Sequence, residues 1–393
     1  MVDDGVRDQH GPLRVVVALD SFKGSVTSAE ACHAVAAGVR EAAPDAVVTE
    51  LPVADGGEGT FDALAPHGMR GEIPTVDLLG RPTVAPYVEL PHAVAVESAS
   101  TLGLALLGPP TPALARRAHS YGLGLHLRGA ARDSDAHRAL VGLGGTGTTD
   151  GGVGMLLALG ARVWLADGTP LWPDGRPQAQ NPLLLRPTRV ELPQVECVPV
   201  GLADVATPLL GPRGSARMFA AQKGADPELV DELEVAMTTW ADALARAGAA
   251  VADVPGAGAA GGIGAALLAI GGMLSPGLET ILHETHGIDS LASADVVVTG
   301  EGALDAQTAE GKVPAAVAGL AHRAARAEGR DVTVIALAGR VDAGHAELER
   351  MGLAWAQPIH DRPLPLAEAM DRDVTLAALS RAAARAIRTT LDG

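Results

Sequence analysis

Leu13-Arg14-Val15-Val16-Val17-Ala18-Leu19, followed at once by Asp20-Ser21-Phe22-Lys23-Gly24-Ser25, is the stretch on which the fold turns. The first seven residues form a short, nearly unbroken apolar run rich in valine. Such a run suits a strand buried on both faces of a parallel sheet rather than one with a wet side. The run stops at a polar loop. Beyond it, Thr27 and Glu30 have the spacing of a capping box, which predicts a helix over residues 28–42. Residues 46–51 read as a second strand, and residues 54–60 (Ala-Asp-Gly-Gly-Glu-Gly-Thr) as a second charged glycine loop. Strand, loop, helix, strand, loop is the order of a doubly wound parallel sheet.

The same order returns near the C-terminus. Residues 295–299 (Asp-Val-Val-Val-Thr) read as a strand, 300–305 as a loop, 314–327 as a helix and 332–338 as another strand ending at Gly339-Arg340. Residues 376–391 carry the pattern of a closing amphipathic helix. The middle is richer in proline, with β-like pieces at 94–97 and 195–202. Its clearest helix follows Asp226-Pro227, where Asp serves as N-cap and Pro stands at the first helical position. The expectation is an α/β protein: a Rossmann-like parallel-sheet domain split between 13–71 and 286–393, and a large inserted α/β domain over 72–285. Residues 1–12 read as a disordered leader.

Composition narrows the function. A chain of 393 residues exceeds one hydrophobic core. Aromatic residues make up 2%, so the core must come from Ala, Val, Leu and Ile. The net charge of −17 argues against nucleic acid and anionic membranes as partners, and makes any anion site a local construction. Cys32 and Cys197 form no CxxC pair, the first residues lack an apolar signal core, and residues 263–274 are too short to span a bilayer. A reduced, cytoplasmic protein is the expectation.

Three lysines stand against twenty-seven arginines, and Lys23, Lys223 and Lys312 all sit beside glycines. An ammonium is a compact, mobile charge suited to phosphate, where the backbone can approach closely. Four loops at strand ends gather carboxylates and glycines: 20–25, 55–60, 142–154 and 300–312. In the third, seven of thirteen residues are glycine. Such a stretch reads as a nest of backbone N–H groups feeding a helix N-terminus, a geometry that holds phosphate. It is not a Walker A motif, nor is 306–313, where Ala306 and Val313 occupy the required Gly and Ser/Thr positions. Gly256-Ala257-Gly258-Ala259-Ala260-Gly261 matches GxGxxG but follows proline and a weak strand, so it reads as a loop packed on the following helix. Asp20, Asp55, Glu58, Asp150, Asp204, Glu301 and Asp305 are too many for one acid–base pair; loops converging on a cleft would let some bind Mg²⁺ and one accept a hydroxyl proton. His283 and His286 have HxxH spacing without the metalloprotease pattern, and two cysteines make no zinc site.

Together these loops resemble the bacterial glycerate kinase family, which includes the glycerate 2-kinases. The segments that carry the likeness are 20–25, 52–60, 144–154, 211–214 with 222–225, 255–262, and 300–308 through Gly311-Lys312. They run in order across residues 13–390. The resemblance implies a Rossmann-like domain with an inserted α/β domain, ATP and Mg²⁺ as cosubstrates, and D-glycerate as acceptor, phosphorylated at the 2-position. On that footing Gly144, Gly145, Thr146, Gly147, Thr148, Asp150, Gly151 and Gly152 are expected to hold nucleotide phosphates, and Lys23 and Lys312 to neutralise them. Asp204 is the expected base, with Asp305 the alternative. Glu301 and Asp305 are the expected Mg²⁺ ligands. Asp20, Ser21, Asp55, Glu58, Arg213 and Lys223 are the expected substrate contacts, with Arg213 or Lys223 on the carboxylate. Three segments depart from the family pattern: Thr149 replaces Asn, 203–208 (Ala-Asp-Val-Ala-Thr-Pro) keeps only its first Asp, and 121–125 (Tyr-Gly-Leu-Gly-Leu) loses polar groups. All three are expected near the acceptor. Those losses favour, as an alternative, a non-catalytic sensor of hydroxy-acid or nucleotide; an NAD-dependent oxidoreductase using 256–261 is a third reading.

Overall fold

The computed structural model of the protein describes residues 11–57, 59–305, 313–362 and 364–392. The expected leader up to residue 10, Glu58 and Lys312 lie outside the described residues. The chain divides into two compact units, Met1–Ala54 with Ile281–Gly393, and Asp55–Thr280. In chain order the strands are β1 (Arg14–Leu19), β2 (Val47–Glu50), β3 (Met69–Val76), β4 (Pro82–Glu89), β5 (Val94–Glu97), β6 (Arg138–Gly142) and β7 (Arg162–Trp164). They continue with β8 (Arg189–Glu191), β9 (Val198–Leu202), β10 (Met273–Ser275), β11 (Val296–Leu304), β12 (Thr333–Val341) and β13 (Trp355–Pro358).

The first unit is built on a five-stranded sheet in the order β13-β12-β11-β1-β2, and every pairing in it is parallel. β1 lies inside it, Val15 opposite both Val296 and Val48. Residues 15–19 are fully buried, as the apolar run requires. The capping box forms: Thr27 accepts from Glu30 N–H and Glu30 returns to the Thr27 N–H, starting the helix Ser28–Ala42. That helix packs against the closing helix Arg372–Asp392, which begins a turn earlier than its amphipathic pattern suggests. The two approach at Gly38, where a Cβ would stand 2.0 Å from the Ser380 carbonyl oxygen.

The second unit holds a six-stranded sheet in the order β10-β9-β6-β5-β4-β3. β3, β4 and β5 are antiparallel neighbours, and the rest are parallel. A boundary at residues 71/72 would cut β3, whose full length from Met69 to Val76 pairs with β4. The unit therefore starts at Asp55 and closes at Thr280, where the sequence alone suggested 72 and 285. Its core is separate from that of the first unit and centres on side chains such as Trp240, Met155 and Leu156. Among the described residues no helix is long and apolar enough to cross a membrane.

Candidate functional site

A cavity of about 300 Å³ opens in the Asp55–Thr280 unit at the C-terminal ends of β6 and β9. It brings together Asp55, Gly144, Gly145, Thr146, Asp204 and Lys223. Two loops and a buried lysine make its chemistry.

Asp55 follows the sheet-end turn, and its Oδ1 accepts the Gly57 N–H at 2.9 Å. The loop is pinned by Glu97 at the end of β5, whose carboxylate accepts from the N–H groups of Gly59 and Phe61 at 3.2 and 3.1 Å. Close contact fixes it further: a Cβ on Gly144 would lie 2.3 Å from the Gly57 Cα. Asp204 stands two residues beyond β9, and its Oδ1 accepts from the Gly277 N–H at 3.0 Å. Burial of the carboxylate raises its pKa to about 6; the Asp55 charge adds to the rise and backbone donors oppose it. The residue as a whole is open to solvent at the cavity mouth, while its carboxylate is largely surrounded by protein.

Lys223 is only 4% exposed. Its ammonium donates to the Thr148 carbonyl at 2.7 Å and, at 3.4 Å, to Thr146 Oγ1. Burial lowers its pKa to about 8, with the Asp150 charge pulling the other way. Three donors serve two protein acceptors, so one remains for a ligand. Beside it, the N–H groups of Gly145 and Thr146 have no protein acceptor among the described residues. A cation, two amides without a protein acceptor among the described residues and a carboxylate of raised pKa line one cavity, a set that can hold a small anion and take a proton from it.

The rest of the glycine-rich loop serves another purpose. Asp150 is fully buried, and its carboxylate accepts from Ser120 N–H at 2.7 Å, Ser120 Oγ at 2.8 Å, and the Gly152 and Gly154 N–H groups at 3.1 Å each. Ser120 Oγ also accepts from the Met155 N–H at 2.8 Å. The N-terminus of the six-residue helix Val153–Ala158 is thus satisfied from within the protein. Gly151 donates its N–H to the Gly261 carbonyl and accepts from Trp240 Nε1. A Cβ at Gly261 would lie 2.1 Å from the Thr148 oxygen. Expected as a phosphate nest over Gly144–Gly152, the loop offers the cavity only Gly144, Gly145 and Thr146. Gly147, Thr148, Asp150, Gly151 and Gly152 are core residues, because buried N–H groups take the nearest internal acceptor. GxGxxG is the other half of the same packed backbone. Its Ala260 lines the cavity at φ 53° and ψ 37°, in the left-handed region.

Tyr121–Leu125 does not approach the cavity. It opens the helix Tyr121–Arg132, where Gly122 packs on the Val76 carbonyl and Gly124 on that of Met155. Its apolar residues answer a packing need. Thr149 is buried, and its carbonyl accepts from Asn181 Nδ2. Of the three departures from the family pattern only 203–208 reaches the cavity, through Ala203, Asp204 and Val205. Arg213 is exposed and does not line it.

The other expected residues belong to the first unit. Asp20 and Ser21 follow β1, and the Ser21 N–H donates to Asp20 Oδ1 at 2.6 Å. Glu301 ends up within β11 and Asp305 just beyond it. Lys23 lines a second, larger cavity of about 810 Å³ made wholly by that unit. No group of three or more metal-ligating side chains occurs among the described residues. Sequence reasoning missed Ala259, Ala260, Phe219 and Gln222 in the smaller cavity and Arg340, His360 and Arg362 in the larger. The signals available were Gly339-Arg340 at a strand end and the segments 222–225 and 255–262, which hold Gln222, Ala259 and Ala260.

Comparison with known proteins agrees with this architecture. The chain is 35% identical over 369 residues to a glycerate kinase of Halalkalibacterium halodurans, covering 92% of this chain and 94% of that protein. It is 36% identical over 321 residues to the glycerate 2-kinase of Escherichia coli, covering 79% of this chain and 82% of the other. The crystal structure of a candidate glycerate kinase 2 from Salmonella typhimurium LT2 superposes with a TM-score of 0.81 at 33% identity, over 98% of this chain and 99% of that one. Residues 15–391 match the family model itself, and the chain belongs to the glycerate kinase family.

Proposed function

We propose that the protein transfers a phosphoryl group from ATP to D-glycerate, giving 2-phosphoglycerate. The observation that carries this reading is that Asp204 and Lys223 line one cavity of about 300 Å³, which has room for a three-carbon acid. Lys223 and the amides of Gly145 and Thr146 bind the glycerate carboxylate. Asp204, held by the Gly277 N–H, takes the proton of the attacking hydroxyl. A carboxylate with a pKa near 6 is a better acceptor for that proton than an ordinary one and is still ionised at neutral pH. Phosphoryl transfer asks mainly for positioning and charge neutralisation.

Mg²⁺ suits the protein's donors. It binds hard oxygen ligands, usually one or two carboxylates with phosphate oxygens and water completing its shell. Glu301 and Asp305, at the C-terminal end of β11, are a donor set of that size and kind. When bound, the ion would neutralise phosphate charge.

The test is ADP release from Mg-ATP with D-glycerate, L-glycerate and other small hydroxy-acids, with the product read by phosphorus NMR. Release that requires D-glycerate and a 2-phospho signal is the expected result. A 3-phospho signal would move the attacking hydroxyl, and no release with any acceptor would sink the kinase reading.

A further inference from the structure

We propose that the cavity holding Asp204 and Lys223 also takes alkyl-bearing relatives of glycerate, namely 2,3-dihydroxy acids whose third carbon carries one or two methyl groups. This rests on the phosphotransfer reading above and names a further class of acceptor for it. The first observation is a mismatch between wall and substrate. Glycerate carries oxygen on every carbon and offers no alkyl group. Lys223 with the Gly145 and Thr146 amides answers its carboxylate and Asp204 its attacking hydroxyl, which leaves Asp55 or Gln222 for the other hydroxyl. Much of the remaining lining is apolar, including Leu104, Val205, Phe219, Ala259 and Ala260. Val205 is 44% exposed, and Leu104, Phe219 and Ala260 are half-buried. Binding pockets set a few polar groups in apolar walls, and those walls gain free energy only from apolar parts of a ligand.

The second observation is size. A volume of about 300 Å³ is that of about ten water molecules in the liquid. Glycerate has fewer non-hydrogen atoms than that, each bonded to its neighbours, so space remains for one or two further carbons. The third observation is backbone strain. Of the non-glycine residues at positive φ among the described residues, Ala260 alone lines this cavity. Gly261 and Gly262, its neighbours, occupy the same region at φ 72° and 93° as glycines, for which it is free of strain. A methyl group kept where glycine would fit better points to a use for that methyl group at the site. In the transfer, the 2-hydroxyl oxygen bonds to the γ-phosphorus of ATP as the bond from that phosphorus to the β–γ bridging oxygen breaks. ADP leaves with the bridging oxygen, and Asp204 takes the hydroxyl proton. The alkyl group takes no part in the chemistry and acts only in binding.

The test compares D-glycerate with its same-handed methyl homologues, 2,3-dihydroxybutanoate and 2,3-dihydroxy-3-methylbutanoate. Affinity is read by calorimetric titration of the full chain, and turnover by ADP release from Mg-ATP. At least one homologue should bind about threefold or more tighter than D-glycerate, the effect of one partly buried methyl group, and should be phosphorylated. Ala260→Gly removes a methyl group from the wall and relieves its strain, while Val205→Thr keeps the side chain's shape and adds a hydroxyl. Each should cancel that preference and leave D-glycerate affinity within about twofold. Circular dichroism checks the fold of both variants. Homologues bound no better than D-glycerate by the wild-type protein, a preference that survives in both folded variants, or no binding of any acid overturns the proposal. Turnover of a homologue with D-glycerate inert supports the proposal and removes the glycerate reading. Absence of ADP release with every acid removes the kinase reading, and tighter calorimetric binding of a homologue would then still support the apolar wall.

Discussion

Asp204 and Lys223 titrate toward each other: burial lifts the carboxylate to about 6 and lowers the ammonium to about 8. The base is competent only when ionised, above about 6, and the carboxylate anchor only when charged, below about 8. The expected kcat/KM profile for glycerate is therefore a bell with its plateau between those values, measured with ATP saturating. Asp204→Asn should remove the acid limb and lower kcat by roughly 10²–10⁴-fold, the usual contribution of a positioned base, with ATP affinity intact. Lys223→Met should instead raise KM for glycerate and remove the alkaline limb. At this scale the sequence was partly legible. Lys223 stood out by its glycine neighbour, and Gly224 indeed turns at φ 99°. Asp204 stood among seven loop carboxylates, and only its role as base came with the resemblance. Asp150 could not be separated from the other loop carboxylates, because only the fold brings four donors to its side chain.

Elements explain why that carboxylate is buried. Residues 148–152 and 256–262 are two backbone segments in contact, locked by glycines and by Asp150 beneath them. Asp150→Ala leaves buried donors unpaired at roughly 1–3 kcal/mol each, so chemical denaturation should show a loss exceeding about 3 kcal/mol. Ala260 gives the opposite prediction. Its left-handed backbone costs an L-residue roughly 1–2 kcal/mol, and Ala260→Gly should shift the unfolding midpoint upward. If the midpoint falls, the methyl group's packing outweighs the strain. Elements with local signals were legible: β1 from its valine run, the helix Ser28–Ala42 from Thr27 and Glu30, the helix Pro227–Arg246 from Asp226 and its proline. The helix Tyr121–Arg132 was not, since its glycines are there for contacts with Val76 and Met155 that no neighbouring residue announces.

At the scale of the molecule, the doubly wound sheet and its insertion were foreseen from the repeated strand–loop–helix order, while the boundary was misplaced because β3 has no apolar run of its own. Each unit has its own hydrophobic cluster. Residues 55–280 expressed alone should therefore unfold in one cooperative transition on denaturant titration; a non-cooperative melt would show that the insertion depends on the rest of the chain. The interior position of β1 has a consequence for synthesis. Val15 leaves the ribosome early, but its partner Val296 follows only after ~280 further residues, tens of seconds later at about 5–20 residues per second. The insertion can complete its own core first, while the nascent β1 must wait with one edge bare. Such a strand is a natural client for a chaperone holdase, and translation speed, not only stability, should govern how much active protein a cell recovers.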